Sequence, residues 1–470
     1  MSVDAPVKFT LKDYKSDLHN DWCPGCIAPD SRVVMADGSS QRIADVVEGD
    51  RVLGHDGAPH AVLATTSHRH NDTMRRIEVR GVGSLTITRD HPMFIVRRAS
   101  VLEIDTASRT EWIPAGDVAI GDYVAYPRFA LVAAGRGDSK SEYWFRSIIA
   151  NDEIEYDAMV HNLEVAEANS YLTVAATLHN CGDFGILTGV QMALAQLNLD
   201  PDKVACFSGI GCSGKTPHYV KAYGFHTLHG RVLPVATGGR LVNSDVTVLA
   251  MGGDGDGYGI GAGYFVNSGR RNLDFTYIVH NNNVYGLTKG QASPTLAKGK
   301  KTKSMPEQAI QDGINPIAMA VAAGYTFIAR AYALEPKYLA GIIAKAIEHK
   351  GSALVDVLQT CPTYNDLYTK EWYEGADLPN KTSRLYKLEE QGYDGKVKDV
   401  TDKAEIIMKK AAAVARSYET EPIPVGIYYQ AELPTYEDGV NARIPALAEK
   451  PLVDIDTFHR DVTPLLDAMR

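Results

Sequence analysis

The sequence lacks the features that mark several large classes of protein. Among its 470 residues no apolar run approaches the roughly 18 residues that a membrane-spanning helix needs, so no membrane protein is expected. The N-terminal stretch has no apolar signal core, and we therefore expect a cytoplasmic protein. Basic residues are in deficit, 48 Lys and Arg against 58 Asp and Glu, which argues against a general nucleic-acid binder. Six cysteines are too few for a disulfide scaffold and are available for metal binding or chemistry.

Lysine is nearly missing from one internal block. Residues 26–180 contain 14 Arg but a single Lys, Lys140, whereas the rest of the chain has 23 Lys and 10 Arg. The block also consists of short alternating apolar runs separated by turn sequences, which is typical of a compact all-β unit. Both observations indicate a segment inserted into a host protein.

The host sequence has a different pattern. VTVLAMGG (246–253) and FTYIVHNN (275–282) predict buried strands of a parallel sheet, and AGIIAKAIEH (340–349) predicts a helix between strands. We expect an α/β fold that carries the all-β insert. The predicted divisions are 1–25, 26–180, 181–370 and 371–470, the last of which contains a predicted helix at 408–419 and is assigned to packing and to contacts between subunits.

The two ends of the insert carry residues that can cut and join a chain. Cys26 opens it, and its thiol can attack the carbonyl of Gly25 to convert an amide to a thioester. Asn180 closes it and can cyclise onto its own carbonyl, while His179 can protonate or polarise that peptide bond. Cys181 follows at once and can take over the acyl group.

A third element supports this interpretation. TITRDHPMF (86–94) places Thr88 and His91 three residues apart after a predicted strand. With both ends, these residues make the whole of 26–180 resemble an intein, a self-splicing protein element with a Hint fold. The resemblance implies that Thr88 and His91 orient and protonate the N-terminal scissile amide.

The segment HNLEVAEANSYLTV (161–174) is similar to the next-to-last intein block, with two departures. Asn162 stands where the family usually has Asp, and Asn169 stands where it usually has His. We expect these two departures to affect the timing of Asn180 cyclisation. The usual place of a homing endonuclease holds only a loop at about 131–142. We therefore predict a mini-intein without nuclease activity.

Excision would join the flanks into a chain of 315 residues and restore a C-x-x-C spacing between Cys23 and Cys181. Cys212 in SGIGCSGK and Cys361 in VLQTCPTYN each follow a predicted strand. Four thiolates at such positions suit iron–sulfur or zinc coordination, and spacing alone does not choose between the metals.

GGDGDGYGIGAG followed by HNNNVYGL predicts a cofactor site. Asp254 and Asp256 follow one strand and Asn282 follows the next, so all three are expected at the carboxyl edge of the sheet. A carboxylate with neutral oxygens suits Mg²⁺, and a helix start favours a diphosphate. A dinucleotide fold is the alternative, but it would prefer an acid after the second strand. Asp256 is expected to cap the following helix.

GDG followed after a few dozen residues by NN is typical of thiamine diphosphate enzymes. Together with WCPG/CGDFGIL, SGIGCSGK, TLHGR, NNNVYGLTKGQASPT and CPTYND, it makes the joined flanks similar to the β subunit of 2-oxoacid:ferredoxin oxidoreductases. The resemblance implies thiamine diphosphate beside Gly253 and Gly255, and a substrate carboxylate facing Lys215. It also implies these groups: Mg²⁺ on Asp254, Asn282 and the carbonyl of Val284; a 4Fe–4S cluster on Cys23, Cys181, Cys212 and Cys361; and His229 and Arg231 near the cofactor.

The implied activity is CoA-dependent oxidative decarboxylation of a 2-oxoacid with electron transfer to ferredoxin. No activating Glu is identified in this chain, and the family supplies it from an α subunit, which is therefore an expected partner. Three alternatives remain open at this point. They are a non-oxidative thiamine diphosphate decarboxylase or synthase, a zinc-binding subunit without turnover, and a functional full-length chain with an inactive insert.

Overall fold

The structure is a computed structural model of the chain. It describes residues 7–16, 25–98, 110–127, 143–166, 170–179, 181–302, 304–380, 382–455, 459 and 461–469, with the side chains of 179 and 465 left out. Within these ranges, no helix combines the length and apolar character that a membrane crossing requires.

The described residues between Cys26 and His179 form antiparallel β structure, as the alternating pattern predicts. Its strands are β1 (Arg32–Val34), β2 (Ser40–Arg42), β3 (Arg51–Leu53), β4 (Pro59–Val79), β5 (Gly83–Ile87), β6 (Pro92–Val96), β7 (Glu111–Pro114), β8 (Tyr123–Pro127), β9 (Tyr143–Val165), β10 (Ser170–Leu172) and β11 (Thr177–His179). The main sheet has the order β10-β11-β6-β8-β9-β4-β3, with β5 on β4 and β7 on β6. All of these pairs are antiparallel, so the expected all-β insert is confirmed.

Two very long strands dominate this domain. β4 and β9 pair from Val62↔Val165 to Val79↔Ile148, with a register shift near each end of the ladder. Side chains are buried toward both ends of this ladder, Leu163 at one end and Ile77 at the other. The buried side chains form a core that belongs to the β domain alone.

The host domain is an α/β fold. Its strands are β12 (Val204–Ser208), β13 (Tyr223–His226), β14 (Thr247–Gly253), β15 (Phe275–Asn281), β16 (Val284–Tyr285), β17 (Gln291–Ala292), β18 (Phe327–Tyr332), β19 (Ser352–Leu358), β20 (Leu385–Lys387) and β21 (Ile423–Gln430). Its helices are α1 (Asp183–Gln196), α2 (Thr216–Tyr219), α3 (Val232–Val242), α4 (Ala262–Arg271), α5 (Pro316–Ala323), α6 (Pro336–Glu348), α7 (Lys370–Tyr373), α8 (Lys403–Ser417), α9 (Tyr436–Arg443), α10 (Ala446–Glu449) and α11 (Thr463–Ala468).

The host sheet has the order β13-β12-β14-β15-β19-β18-β21-β20. Its first six strands are mutually parallel, and β21 is antiparallel to β18. The expected parallel α/β sheet is therefore confirmed. Because the strands are parallel, the ends of β12, β14 and β15 meet at one edge, and the residues after them can form a shared site.

Two helices begin earlier in the chain than the apolar pattern predicted. The helix predicted at 340–349 begins at Pro336, whose missing N–H is harmless in the first turn. The helix predicted at 408–419 begins at Lys403, because the Asp402 side chain accepts a hydrogen bond from the Ala404 N–H and caps it.

Candidate functional site

The N-terminal end of the insert is held by the two residues that the sequence analysis selected. The Cys26 N–H donates to the Thr88 hydroxyl at 2.9 Å, and the Thr88 N–H donates to the Cys26 carbonyl at 2.9 Å. A Cβ added to Gly25 would lie 2.9 Å from the His91 ring, so the imidazole packs directly against the residue before Cys26. The structure thus brings Thr88 and His91 to the Gly25–Cys26 peptide.

The Cys26 thiol is buried, with Met74 and Val160 in its apolar surroundings. Burial raises the pKa of this thiol to about 12, because the apolar surroundings disfavour the charged thiolate. A thiol in this state is a weak nucleophile. It therefore needs help at the carbonyl that it attacks.

The C-terminal end of the insert lies on β11, between β10 and β6. Leu178 on β11 pairs with Met93 on β6, and His91 comes just before β6, so the two ends of the insert approach the same place. Two predicted splicing groups at this end, the side chain of His179 and the whole of Asn180, lie outside the described residues. Cys181 is buried, and its thiol donates to the Asp183 carboxylate at 3.2 Å.

Asn162, the first departure from the intein pattern, supports the histidine at the N-terminal end. Its side-chain oxygen accepts from the Tyr171 hydroxyl at 2.8 Å and from the Leu163 N–H at 2.9 Å. The Tyr171 ring contacts the His91 ring edge to face at 6.4 Å. Asn162 therefore fixes the tyrosine that packs on His91. The second departure, Asn169, lies outside the described residues.

The host site is built around Asp254, which directly follows β14. The Ser293 and Thr295 hydroxyls and the Asn283 N–H all donate to its Oδ2, the serine at 2.5 Å and the N–H at 3.1 Å. Burial raises the pKa of Asp254 to about 6, with Asp356 adding to the effect. A nearby cation stabilises the charged form of a buried carboxylate whose pKa is raised. Asp254 therefore fits its predicted role as a Mg²⁺ ligand.

Asn282 follows β15 and lies at the same edge. Its Oδ1 accepts from the Val284 N–H at 3.1 Å, and its Nδ2 donates to the Gln359 side chain at 3.0 Å. The Asn365 side chain donates to the Asn282 carbonyl at 2.8 Å. The asparagine is thus held in place by three neighbouring segments, and Asp254, Asn282 and Val284 line one cavity.

Glycines shape the floor of that cavity. A Cβ on Gly255 would come within 2.2 Å of the Tyr285 ring, and Gly211 has a φ of +115°, so both positions require glycine. Gly253 and Gly255 line the cavity, and a helical turn begins at Gly255. Backbone N–H groups in such a first turn favour an anion, which fits a diphosphate.

Asp256 does not cap the following helix, so that prediction is wrong. Its Oδ1 accepts from the Ile210 N–H at 3.0 Å and the Gly230 N–H at 2.7 Å, and the helix α4 is preceded by Gly261 without a side-chain cap. The carboxylate faces two other loops of the site, which is why it is unavailable to the helix.

The two candidates in the LHGR motif have different places. His229 lines the cavity with Nδ1 3.0 Å from Asp256 Oδ1. Arg231 is exposed and stacks over the Tyr264 ring at 4.8 Å, away from the cavity lining. Lys215 ends the short turn Ser213–Lys215, is half-buried and is also absent from that lining.

Two cavity residues were missed by the sequence analysis. The buried Ser213 hydroxyl and His280 Nε2 have no hydrogen-bond partner among the described residues. His280 Nδ1 contacts the Asp183 carboxylate at 2.5 Å, which leaves Nε2 for the cavity. The signal for His280 was its position in FTYIVHNN, as the polar residue directly before the asparagines.

Two of the predicted cluster cysteines belong to neighbouring segments of the host. Gly182, next to Cys181, donates its N–H to the carbonyl of Thr360, the residue before Cys361, at 3.3 Å. Cys212 lies against Gly286, which also approaches the segment after Cys361. Cys23 lies outside the described residues, and within the described ranges no group of three or more His, Cys, Asp or Glu could hold a metal ion.

Comparison with known proteins agrees with the host fold. Residues 209–357 match the thiamine pyrophosphate enzyme family, C-terminal TPP binding domain, and residues 361–443 match the C-terminal family of the pyruvate ferredoxin oxidoreductase β subunit. The β subunit of 2-oxoacid:ferredoxin oxidoreductase from Saccharolobus solfataricus is 52% identical over 276 residues, which cover 58% of this chain and 87% of that one.

Two solved structures extend the comparison. The 2-oxoglutarate:ferredoxin oxidoreductase of Magnetococcus marinus aligns with a TM-score of 0.53 and 33% identity, over 62% of this chain and 90% of that chain. The TvoVMA intein aligns with 33% of this chain and 98% of its own length, at 18% identity and a TM-score of 0.27.

The fold and the site therefore define a thiamine diphosphate enzyme subunit. More specifically, the chain belongs to the family of 2-oxoacid:ferredoxin oxidoreductase β subunits, and it carries an inserted all-β domain.

Proposed function

We propose that the chain is a precursor that removes residues 26–180 by protein splicing and joins Gly25 to Cys181. The observation that carries the proposal is the contact of Thr88 and His91 with the Gly25–Cys26 peptide, at the end of a domain whose other end lies on the neighbouring strand. Residues more than 60 positions apart in the sequence meet there only because of the fold.

The proposed reaction needs no cofactor, oxidant or reductant. The Cys26 sulfur attacks the Gly25 carbonyl carbon, the C–N bond breaks, and the Cys26 nitrogen leaves as an amine. The Cys181 sulfur then displaces the Cys26 sulfur from that acyl group. Cyclisation of Asn180 breaks its bond to Cys181, and the freed Cys181 amine takes the acyl group from its own sulfur to form a peptide bond.

Thr88 and His91 have separate tasks in the first step. The Thr88 hydroxyl accepts from the Cys26 N–H and holds the scissile amide in one orientation. His91 lies beside the same amide and is placed to protonate the leaving nitrogen, which makes the amide easier to break. The two side chains thus assist a buried thiol that is a weak nucleophile by itself.

The test is the mass of the protein after expression. The expected product is shorter than the 470-residue chain by 155 residues, with a peptide that spans Gly25 and Cys181 in a digest. A Cys26→Ala/Asn180→Ala chain should stay at full length and serves as the control. A parental chain that stays whole under reducing conditions contradicts the proposal.

We propose that the spliced chain catalyses CoA-dependent oxidative decarboxylation of a 2-oxoacid, with an α subunit and ferredoxin as partners and a cytoplasmic location. The Magnetococcus marinus relative is described with 2-oxoglutarate, coenzyme A and succinyl-CoA bound, which supports this substrate class. Bound thiamine diphosphate supplies a nucleophilic carbon and an electron sink for the decarboxylation. Asp254, Asn282 and the Val284 carbonyl would hold its Mg²⁺, and Lys215 would face the substrate carboxylate.

The described residues do not by themselves fit a 4Fe–4S cluster, since they include no set of three ligands. We propose that ligation, which gives Cys23 and Cys181 a C-x-x-C spacing, brings Cys23, Cys181, Cys212 and Cys361 together as the ligand set. The measurement is iron per chain in the spliced protein and in the Cys26→Ala/Asn180→Ala precursor. Four iron atoms in both contradict a ligation-dependent cluster, and zinc in the spliced chain contradicts the cluster itself.

A further inference from the structure

The short host helix α7 contacts the inserted domain through a carboxylate. Glu371 Oε1 lies 3.3 Å from His55 Nε2 and accepts from the Trp112 indole N–H at 3.4 Å. The His55 side chain is 5% exposed, and its ring also packs on Trp112, with 5.7 Å between ring centroids. Glu371 belongs to the oxidoreductase part of the chain, whereas His55 and Trp112 belong to the insert.

The second nitrogen of His55 is committed to a serine. Its Nδ1 lies 2.7 Å from the Ser170 hydroxyl oxygen, and the His55 main-chain N–H donates to the same oxygen at 3.1 Å. A carboxylate only accepts, so in the neutral ring the proton lies on Nε2 and points to Glu371. Nδ1 then accepts from the Ser170 hydroxyl, and Glu371 thus selects the histidine tautomer that fits Ser170.

Ser170 lies at the C-terminal end of the insert. It is the first residue of β10, and its register partner on β11 is His179, the last residue before Asn180. β11 is flanked on its other side by β6, where Leu178 pairs with Met93. Ser170 is thus paired with the strand that carries the last described residue of the insert.

We propose that Glu371 is a positioning residue for cleavage at the Asn180–Cys181 bond and acts through His55 and Ser170. The inference rests on the splicing proposed above. In that step the Asn180 side-chain nitrogen attacks its own carbonyl carbon, the bond to Cys181 breaks, and the Cys181 amine takes the proton. Through His55 and Ser170, Glu371 fixes the paired strands β10 and β11, the second of which ends at His179, so that cleavage depends on a folded host.

The test measures C-terminal cleavage alone, in full-length chains that carry Cys26→Ala to block the first step. Glu371→Ala should slow this cleavage about tenfold, the usual effect of losing a hydrogen bond to a charged partner. Glu371→Gln should stay within about threefold of the parent, because the amide oxygen still accepts from Nε2–H. Glu374→Ala is the matched control, since Glu374 is on the same segment, is 54% exposed and pairs with Lys370.

A second readout separates positioning from folding. In chains that carry Asn180→Ala, hydroxylamine reports the thioester at Cys26, and Glu371→Ala should leave its formation unchanged within about twofold, because the described contacts of Thr88 and His91 do not include Glu371. In the Cys26→Ala background, His55→Ala/Glu371→Ala should be no slower than His55→Ala alone, because the two residues act in one chain of contacts.

The inference is overturned if Glu371→Ala cleaves at the parental rate, or if Glu371→Ala slows the reactions at both ends of the insert to the same extent. It is also overturned if Glu371→Gln is as slow as Glu371→Ala. Failure of the proposed function looks different. In that case the parental chain, with Cys26 and Asn180 intact, does not splice at all. Normal splicing of that chain together with an unaffected Glu371→Ala variant removes only the role of Glu371.

Discussion

The imidazole ring of His91 packs against Gly25 with no room for a side chain between them. A Cβ at residue 25 would lie 2.9 Å from two ring atoms of His91, closer than such contacts tolerate. The histidine is fully buried, and it contacts Tyr171 on its other side. The ring therefore has little freedom to move away, and the identity of residue 25 bears directly on the first step of splicing.

We expect Gly25→Ala to slow thioester formation at Cys26 at least tenfold, because the new methyl displaces the imidazole from the scissile amide. General acid–base assistance of this kind contributes about 10²- to 10⁴-fold. Hydroxylamine cleavage in an Asn180→Ala chain measures the step. Gly238→Ala is the control, since a Cβ there meets nothing within 4 Å. An unchanged rate for Gly25→Ala would show that the contact with His91 is not used.

The first step should become faster with rising pH and show no plateau below about pH 9. Burial raises the pKa of the Cys26 thiol to about 12, so each unit of pH below that value changes the thiolate fraction about tenfold. The measurement is the same hydroxylamine cleavage between pH 6 and 9. A rate that levels off near pH 7 would mean that the first step does not follow the thiolate fraction of a buried Cys26.

The inserted domain and the host should separate more easily as pH rises toward neutrality. The buried Glu164 of β9 accepts a hydrogen bond from the Thr188 hydroxyl of α1, and burial raises the pKa of Glu164 from 4.5 to about 7. An acid whose pKa is higher in the folded chain favours folding below its unfolded pKa. That stabilisation is lost as pH rises from about 4.5 through 7, and it amounts to about 3 kcal/mol.

Glu164→Gln removes this titration and keeps an oxygen that accepts from Thr188. In the Cys26→Ala/Asn180→Ala precursor, the variant should be more stable than the parent at pH 8 by about 1–3 kcal/mol and close to it at pH 4.5. Denaturant unfolding at the two pH values measures this. The control is Glu153→Gln, whose side chain is 54% exposed. Equal stability of variant and parent at both pH values would refute the buried ionisation.

Ser293→Ala and Thr295→Val should each weaken Mg²⁺-dependent binding of thiamine diphosphate about tenfold in the spliced protein. Both hydroxyls hold Oδ2 of Asp254, and loss of one such bond costs about 1.4 kcal/mol. Calorimetric titration of thiamine diphosphate at several Mg²⁺ concentrations separates an effect on Mg²⁺ binding from an effect on the binding of the cofactor itself. Thr401→Val is the control, since Thr401 is exposed and does not line the cavity. Unchanged Mg²⁺ dependence in both variants would mean that Asp254 is not the metal ligand.

Much of the fold was predictable because its periodicity is strong. Continuous apolar runs predicted the buried parallel strands β14 and β15, and alternation predicted the antiparallel insert. The boundaries of the helices α6 and α8 were predicted less well, because their first turns are set by Pro336 and by the Asp402 cap rather than by apolar spacing.

The assignment of Asp256 failed for a related reason. A single acid after a strand can cap a helix or accept from loops, and only the tertiary structure shows that the Ile210 and Gly230 N–H groups point to it. Ser293 and Thr295 were visible as polar residues in QASPT, but nothing local in that segment indicates that both hydroxyls return to Asp254.

By itself the sequence predicted the ends of the insert and contained the order GDG then NN, because the proposed chemistry needs particular residue types at fixed places along the chain. Only the tertiary structure showed which groups contact the predicted residues: Tyr171 on His91, the two hydroxyls on Asp254, and Glu371 on His55. Glu371 and His55 lie far apart along the chain, in different domains. Contacts of this kind follow from how strands and domains pack, and no local spacing of residues encodes them.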